Sequence, residues 1–276
     1  MSGLDGFYAE AIPNSVAFEL VEKFHYLHRR PFSPLRAFGL FSPMRRVVGA
    51  MTFGTLPSMA VHRGVCGPGE ADHVIELSRL WVADEVPKNG ESFFIGAALA
   101  LMRAERLSRD IVVSYADSAA GHEGTVYQAS NFLFTGTSIP MRDPVPLDFP
   151  GHRLSAGKTT TLREWYRVHV GDPTGKTTFD FMEAKFGVGR VGWVRRSRKN
   201  RYVMLNGWNR ERRAEQRAAL RWPVLPYPAS PKTPSLSVRD TPEPPTVGGP
   251  GRDEGRTRQP ADAGRVGNPP VLPERA

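Results

Sequence analysis

The stretch that decides the fold class is "VIELSRLWVADEVPKNGESFFIGAALALMRAERLSRDIVVSYAD", Val74–Asp117. Its first nine residues, Val74 to Val82, are short, apolar and rich in β-formers, and their alternation predicts a strand with Leu77, Arg79 and Trp81 on one face and Ser78, Leu80 and Val82 on the other. The loop "ADEVPKNGES" follows. Ser92 then caps a predicted helix from Phe93 to about Arg106, with Phe94, Ala97, Ala98 and Leu101 on its apolar stripe. A second apolar strand begins at Ile111 and ends in Asp117. Strand, loop, helix, strand is a βαβ crossover, and the two strands it joins run parallel.

Working outward, Leu35 to Phe41 and Val47 to Phe53 are strand-like runs joined by the "SPMRR" turn, a predicted hairpin. A first helix opens at Pro13-Asn14-Ser15, carries Val16, Leu20, Phe24 and Leu27 at helical spacing, and is stopped by Pro31. Helix, antiparallel strands and crossover together predict an α/β sheet, and in such sheets ligands gather where strands end and helices begin.

A chain of 276 residues with 40% hydrophobic content can bury a sizeable core. Cys66 is the single cysteine, which rules out an internal disulfide framework or a cysteine-rich zinc site. No apolar run approaches the roughly 18 residues that cross a bilayer, and no basic region followed by an apolar core opens the chain. The expected address is therefore a reducing cytoplasm, with no membrane partner.

The net charge of +9 is concentrated between Lys185 and Arg221, where 12 Lys and Arg face two acids. Trp193, Tyr202 and Trp208 are interleaved with that charge, a combination suited to phosphates and exposed bases as well as to a plain solvated helix. The expected nucleic-acid contacts are Arg195, Arg196, Arg198, Lys199, Arg201, Trp208 and Arg210. After Pro228 the last 48 residues hold 10 of the 25 prolines and no aromatic residue. Such a segment cannot bury enough apolar surface to offset its ordering entropy, so 229–276 reads as a disordered tail.

Three other stretches carry chemistry. In "SYADSAAGHEGTVYQASNF", Ser114–Phe132, an acid ends a strand, Gly121 and Gly124 allow a tight turn, and Tyr127 and Asn131 share a face of the helix that follows. Asp117 here suits either a helix cap or an active-site carboxylate, with His122 as a second-rank candidate. His25-x-x-His28 offers two imidazoles one helical turn apart, which together with a carboxylate would suit iron, although such histidines also cap helix carbonyls. The "VPKNGES" loop could cradle a pyrophosphate on its amides but lacks the glycine patterns of the common phosphate loops.

Taken together, "EKFHYLHRRP", "VIELSRLWVAD", "ESFFIG", "SYADSAAGHEGTVYQASNFLFTG" and "KNRYVMLNGWNRERR" followed by "PVLPYP" resemble the Mom family of phage DNA-modification proteins, over about Ala11 to Pro228. That family is related to the GCN5-type N-acetyltransferases (GNAT). The resemblance implies a mixed, mostly antiparallel central sheet flanked by helices. It implies a core over 1–184, a basic DNA-binding extension over 185–228 packed on it, and a tail over 229–276.

It further implies a transferase that places a carbamoylmethyl group on adenine N6 in double-stranded DNA, protecting that DNA from restriction, with an acetyl-CoA-type donor and iron (Fe2+). By the same resemblance, His25, Tyr26 and Asp117 are the metal or active-site residues. Arg79 fixes the acyl-CoA or the acid, and Tyr127 acts near the donor sulfur. Tyr26, Arg79, Asp117 and Tyr127 form the catalytic set. Lys88, Gly90, Ser92 and Asn131 are the donor-binding set, although Lys88 to Ser92 depart from the acetyltransferase pyrophosphate pattern. A homodimer is one open form of assembly. An acetyltransferase acting on a protein or small molecule, and a non-catalytic nucleic-acid binder, are the competing readings.

Overall fold

A computed structural model of the chain describes residues 3–31, 33–118, 121–147, 178–195 and 198–228. The tail over 229–276 and Arg196 lie outside the described residues. Seven strands form one sheet in the order β1-β2-β3-β4-β5-β9-β6. They are β1 (Tyr8–Ile12), β2 (Pro34–Phe41), β3 (Val47–Gly54), β4 (Val74–Val82), β5 (Ile111–Ala116), β6 (Leu133–Thr137) and β9 (Asn200–Leu205). Among the described residues, only the β4–β5 pair is parallel. β7 (Arg142–Pro146) and β8 (Val191–Arg195) make a separate two-stranded ribbon backed by a helix, Phe179–Phe186. The fold is mixed α/β with a mostly antiparallel central sheet flanked by helices.

Helix α3 (Gly90–Ala104) lies on one face of the sheet, where Phe94, Ile95, Ala98, Leu99 and Met102 pack on Phe38, Met51, Phe53, Ile75 and Val112. Helix α1 (Asn14–Phe24) packs Ala17, Leu20 and Val21 on Ala37, Phe41 and Ala50. Helix α2 (Met59–Cys66) adds Val65 and Cys66 to Val74, Ile111, Val113 and Val203. Each element thus buries one apolar stripe, which is what allows a three-layer arrangement to form around the sheet.

Four local expectations are corrected by the structure. α3 starts at Gly90 rather than Phe93, after Asn89 at φ 70°, and the Ser92 hydroxyl donates back to Asn89 O at 3.0 Å instead of capping. α1 stops at Phe24, because the His25 ring accepts the Leu27 N–H at Nδ1 (3.1 Å) and so replaces the next helical bond. His25 and His28 are therefore not stacked on one helical turn.

The third correction concerns β4. Ser78 is an extra residue against β3, since Thr52 pairs with Arg79 while Phe53 pairs with Leu77. This β-bulge resets the alternation, so Leu77 shares a cluster with Leu80 and Val82, while Trp81 stacks on Phe24 across the sheet. Finally, α4 spans only Thr125–Ala129, and Asn131 stands beyond it at φ 60°, exposed, so that Tyr127 and Asn131 do not share a helix face.

The stretch read as an extension is continuous with the core. β9 lies between β5 and β6 in the main sheet, and the helix after it, Arg210–Ala219, docks beneath β5. The turn into α4 is equally constrained. Gly124 sits at φ 82°, and a Cβ there would fall 2.3 Å from the buried Tyr202 ring. A Gly124→Ala variant is expected to lose about 3 kcal/mol or more, from left-handed strain plus the clash, read as a lowered melting temperature.

Candidate active site

The crossover strands leave a gap in the sheet. β4 and β5 pair at Val74–Ile111, Ile75–Val112 and Glu76–Val113, and there the ladder ends, although β4 continues to Val82 and β5 to Ala116. The Ser114 hydroxyl donates across the gap to Leu77 O at 3.0 Å, and the Tyr127 phenol, from α4, hydrogen-bonds Ser114. A wedge between parallel strands, flanked by the N-terminal ends of α3 and α4, is where an α/β sheet binds ligands.

Glu76 stands at the point where pairing stops. Burial pushes its carboxyl up to about 7, against the opposing pull of the Arg79 and Lys199 charges. It was not among the residues chosen from the sequence. Burial likewise raises Tyr127 to about 12, with the Tyr26, Glu76 and Glu91 charges adding to the effect, so its phenol stays protonated at neutral pH. The Arg79 guanidinium is anchored by donating to Ser78 O at 2.6 Å and to Arg29 O at 3.4 Å. A poised acid, a neutral phenol and a fixed cation therefore meet at one opening.

Asp117 lies just past β5 and is only 6% exposed. Its backbone oxygen accepts the His122 N–H, and its carboxylate stands 3.9 Å from Lys199 Nζ. α4 is entered through Gly124 with no side-chain cap, so Asp117 does not serve as one. Its charge also raises the Tyr26 phenol, secondary to burial. The rings of His25 and Tyr26 stack at 4.4 Å, and Tyr26 meets His122 at 4.7 Å. His122, ranked second from the sequence, is thus brought into the site by a contact between segments nearly a hundred residues apart. His28 turns away and donates from Nδ1 to Glu22 O, a helix-end cap.

The sequence pattern of the Mom protein family matches residues 6–229. The chain belongs to that family. The methylcarbamoylase mom of Escherichia phage Mu is 34% identical over 128 residues, 46% of this chain and 53% of the relative, so the match spans about half the length of that curated protein. Among solved structures, a spermidine N-acetyltransferase of Vibrio cholerae gives a TM-score of 0.37 at 10% identity, over 73% of this chain and 94% of that one. An acetyltransferase-class protein of Salmonella typhimurium, solved with its cofactor acetyl-CoA, gives 0.35 at 11% identity, over 49% and 83%.

The iron implied by the Mom resemblance does not fit the donor set. Because His25 Nδ1 accepts a backbone N–H, the neutral ring carries its proton on Nε2 and offers no lone pair there. Burial, with the Arg79 charge next, lowers that imidazole to about 4, which keeps it neutral. Among the described residues, no group of three His, Cys, Asp or Glu comes together as a ligand set.

Of the donor-binding residues chosen from the sequence, Lys88 is exposed at the loop tip, and Gly90 is buried against Val86, where a Cβ would fall 2.4 Å from Cγ1. The basic residues divide more sharply. Arg195, Arg198 and Arg210 are exposed, although Arg198 donates to Ser138 O, and Trp208 is partly covered by Arg212. Arg201 points inward, donating to Thr135 O at 2.7 Å and lying 4.0 Å over the Trp222 ring, so its charge is committed to packing. On the β7–β8 ribbon, Arg142 pairs in register with Arg195, and its guanidinium covers Trp193, a ring that also stacks on Phe179. Arg142 was missed because it lies outside the basic block.

Proposed function

We propose that this protein is a DNA-modifying transferase that places a carbamoylmethyl group on adenine N6 in duplex DNA. The single observation carrying the reading is the part-buried Glu76, poised near neutrality where the β4–β5 ladder ends and within electrostatic reach of Arg79 and Tyr127. An exocyclic amine is a weak nucleophile, and a carboxylate with a pKa near the working pH is the group suited to take its proton as the new N–C bond forms. Asp117 would accept the amine's second hydrogen and hold it in line. Tyr127, protonated at neutral pH, would donate to the departing atom, and Arg79 would balance the charge of Glu76.

The unpaired edge of β4 beyond Glu76 and the first turn of α3 suit the arm and the phosphates of an acyl-CoA-class donor. Duplex DNA would lie across the exposed Arg195, Arg198 and Arg210, with Arg142 and Trp193 on the ribbon. That surface favours DNA over a protein or small-molecule acceptor, for which it would have no use.

Adenine N6 is read in the major groove, so a substituent there interferes with enzymes that recognise it. Plasmid recovered from cells expressing the protein is expected to resist restriction enzymes with adenine in their sites and to remain sensitive to those whose sites contain only G and C. Equal cleavage by both classes would overturn the reading.

A further inference from the structure

The β4–β5 gap has two faces, and they carry different groups. Ser114 alternates with Val112 and Ala116, which pack in the cluster under α3, and Ser114 is the residue that the Tyr127 phenol bonds. On the opposite face Val74 and Val113 pack in the cluster against α2, and the next residues along each strand on that side are Glu76 and Tyr115. With the donor at the first turn of α3, the base enters from this second face.

Tyr115 is a part-buried phenol that the chemistry described so far leaves idle. Among the described residues, neither its hydroxyl nor the Glu76 carboxyl has a hydrogen-bond partner. Arg201, the ladder partner of Tyr115 on β9, is turned to Thr135 O and to the Trp222 ring. Burial raises the phenol to about 12, with the Glu76 charge adding to the effect, so it keeps its proton at neutral pH within electrostatic reach of the acid. An unpaired donor and an unpaired acceptor on one wall suit a ligand edge that carries an acceptor beside a donor.

We propose that Tyr115 is a specificity-determining residue of the acceptor side, its phenol donating to N1 of an adenine drawn out of the duplex while Glu76 takes the N6 amine. This deepens the reading above and rests on it. N6 and N1 sit on one carbon as donor and acceptor. Guanine and thymine place a carbonyl and an N–H there, which sets an acceptor against the Glu76 carboxylate and leaves polar groups unpaired. Cytosine repeats the adenine pattern with N4 and N3, so the contact selects amino bases over keto bases. N1 is engaged by thymine inside a base pair, and the contact therefore requires the base to leave the helix. A donor at N1 also draws electrons from the amine through C6, which makes its proton easier for Glu76 to remove as the N–C bond forms.

The test exchanges single atoms. Duplexes of mixed flanking sequence carry, opposite an abasic site, adenine, 1-deazaadenine (N1 replaced by C–H) or 7-deazaadenine. The wild-type protein is expected to bind the 1-deazaadenine duplex about tenfold more weakly than the adenine duplex and the 7-deazaadenine duplex equally well, since one hydrogen bond is lost only in the first case. Tyr115→Phe keeps the ring and its packing. It should bind the adenine duplex about tenfold more weakly than the wild type, lose nothing further to 1-deazaadenine, and melt at the wild-type temperature. Wild-type protein that binds adenine and 1-deazaadenine alike, or Tyr115→Phe protein that still separates them, overturns the contact. If the wild type nonetheless modifies cellular adenine, the adenine reading survives. Wild-type protein that leaves cellular DNA unmodified sinks both.

Discussion

A Glu76→Gln variant is expected to lose DNA modification by at least about 100-fold while becoming more stable in mild alkali. The loss follows from removing the proton acceptor in the β4–β5 gap, since general-base catalysis contributes on the order of 100-fold or more. The gain in stability follows from linkage. Folding raises the carboxyl of Glu76 from 4.5 to about 7. Between those values the folded protein holds a proton that the unfolded chain has released, so stability falls as pH rises through this window. Above it, the penalty for the buried carboxylate is complete, roughly 3 kcal/mol at about 1.4 kcal/mol for each pKa unit.

A neutral amide at position 76 avoids that penalty. Melting curves at pH 5 and pH 8 should therefore converge for the variant and separate for the wild type. Activity should move the other way, rising through about pH 7 in the wild type as Glu76 loses its proton. A stability curve for Glu76→Gln that follows the wild type would mean that the carboxyl is not desolvated.

The second large effect is structural and falls on the basic C-terminal part. Arg212, from the helix Arg210–Ala219, is 7% exposed. Its guanidinium donates to both Asp110 oxygens, at 2.8 and 3.0 Å, and to both Glu70 oxygens, at 2.9 and 2.6 Å. Beside it, Gln216 donates to Asp110 O and accepts from Gly207 N, which locks the helix to β5 and to the end of β9.

Removing one member of a buried ion cluster leaves its partners unpaired, at a cost of about 3 to 5 kcal/mol. Arg212→Ala should lower the melting temperature by about 10 °C. The Arg212 contact holds the Glu70 carboxyl below the usual range, so its share of the stability is present above that range and fades as pH drops through it. The variant's deficit should accordingly shrink in acid. A deficit under 1 kcal/mol at neutral pH would mean that the cluster does not anchor the helix. Arg210→Ala, on the exposed face of the same helix, should leave stability unchanged and weaken DNA binding instead.

These two residues mark where the sequence was legible and where it was not. β2, β3, β4 and the crossover could be read because alternation and helical spacing are local signals, and each apolar residue in Val74–Val82 belongs to a real strand. Glu76 could not be read, because an acid between Ile75 and Leu77 looks like an ordinary outward-facing position. Its burial is set by where a strand 37 residues later stops pairing. The bulge at Ser78 is likewise a property of the β3 register rather than of β4 alone.

Arg212 and Arg201 counted toward a basic surface because composition cannot distinguish a solvated guanidinium from one clamped between carboxylates or laid over Trp222. Asp117 stood out in the sequence because it follows a strand, and Arg79 because it lies between two large apolar residues, whereas roles for Tyr26, Arg79 and Tyr127 came only with the resemblance to the Mom family. The contact of Tyr26 with His122 depends on packing between the segment after α1 and the turn before α4, and no local pattern encodes it.

On the proposed reading, the β4–β5 gap modifies adenine using Glu76. The most direct measurement is mass spectrometry of nucleosides from the DNA of cells expressing either the wild type or Glu76→Gln at equal soluble levels. The account predicts deoxyadenosine heavier by one carbamoylmethyl group in wild-type cells only. Unmodified deoxyadenosine in both cultures, or the same adduct at the same level in both, would contradict it.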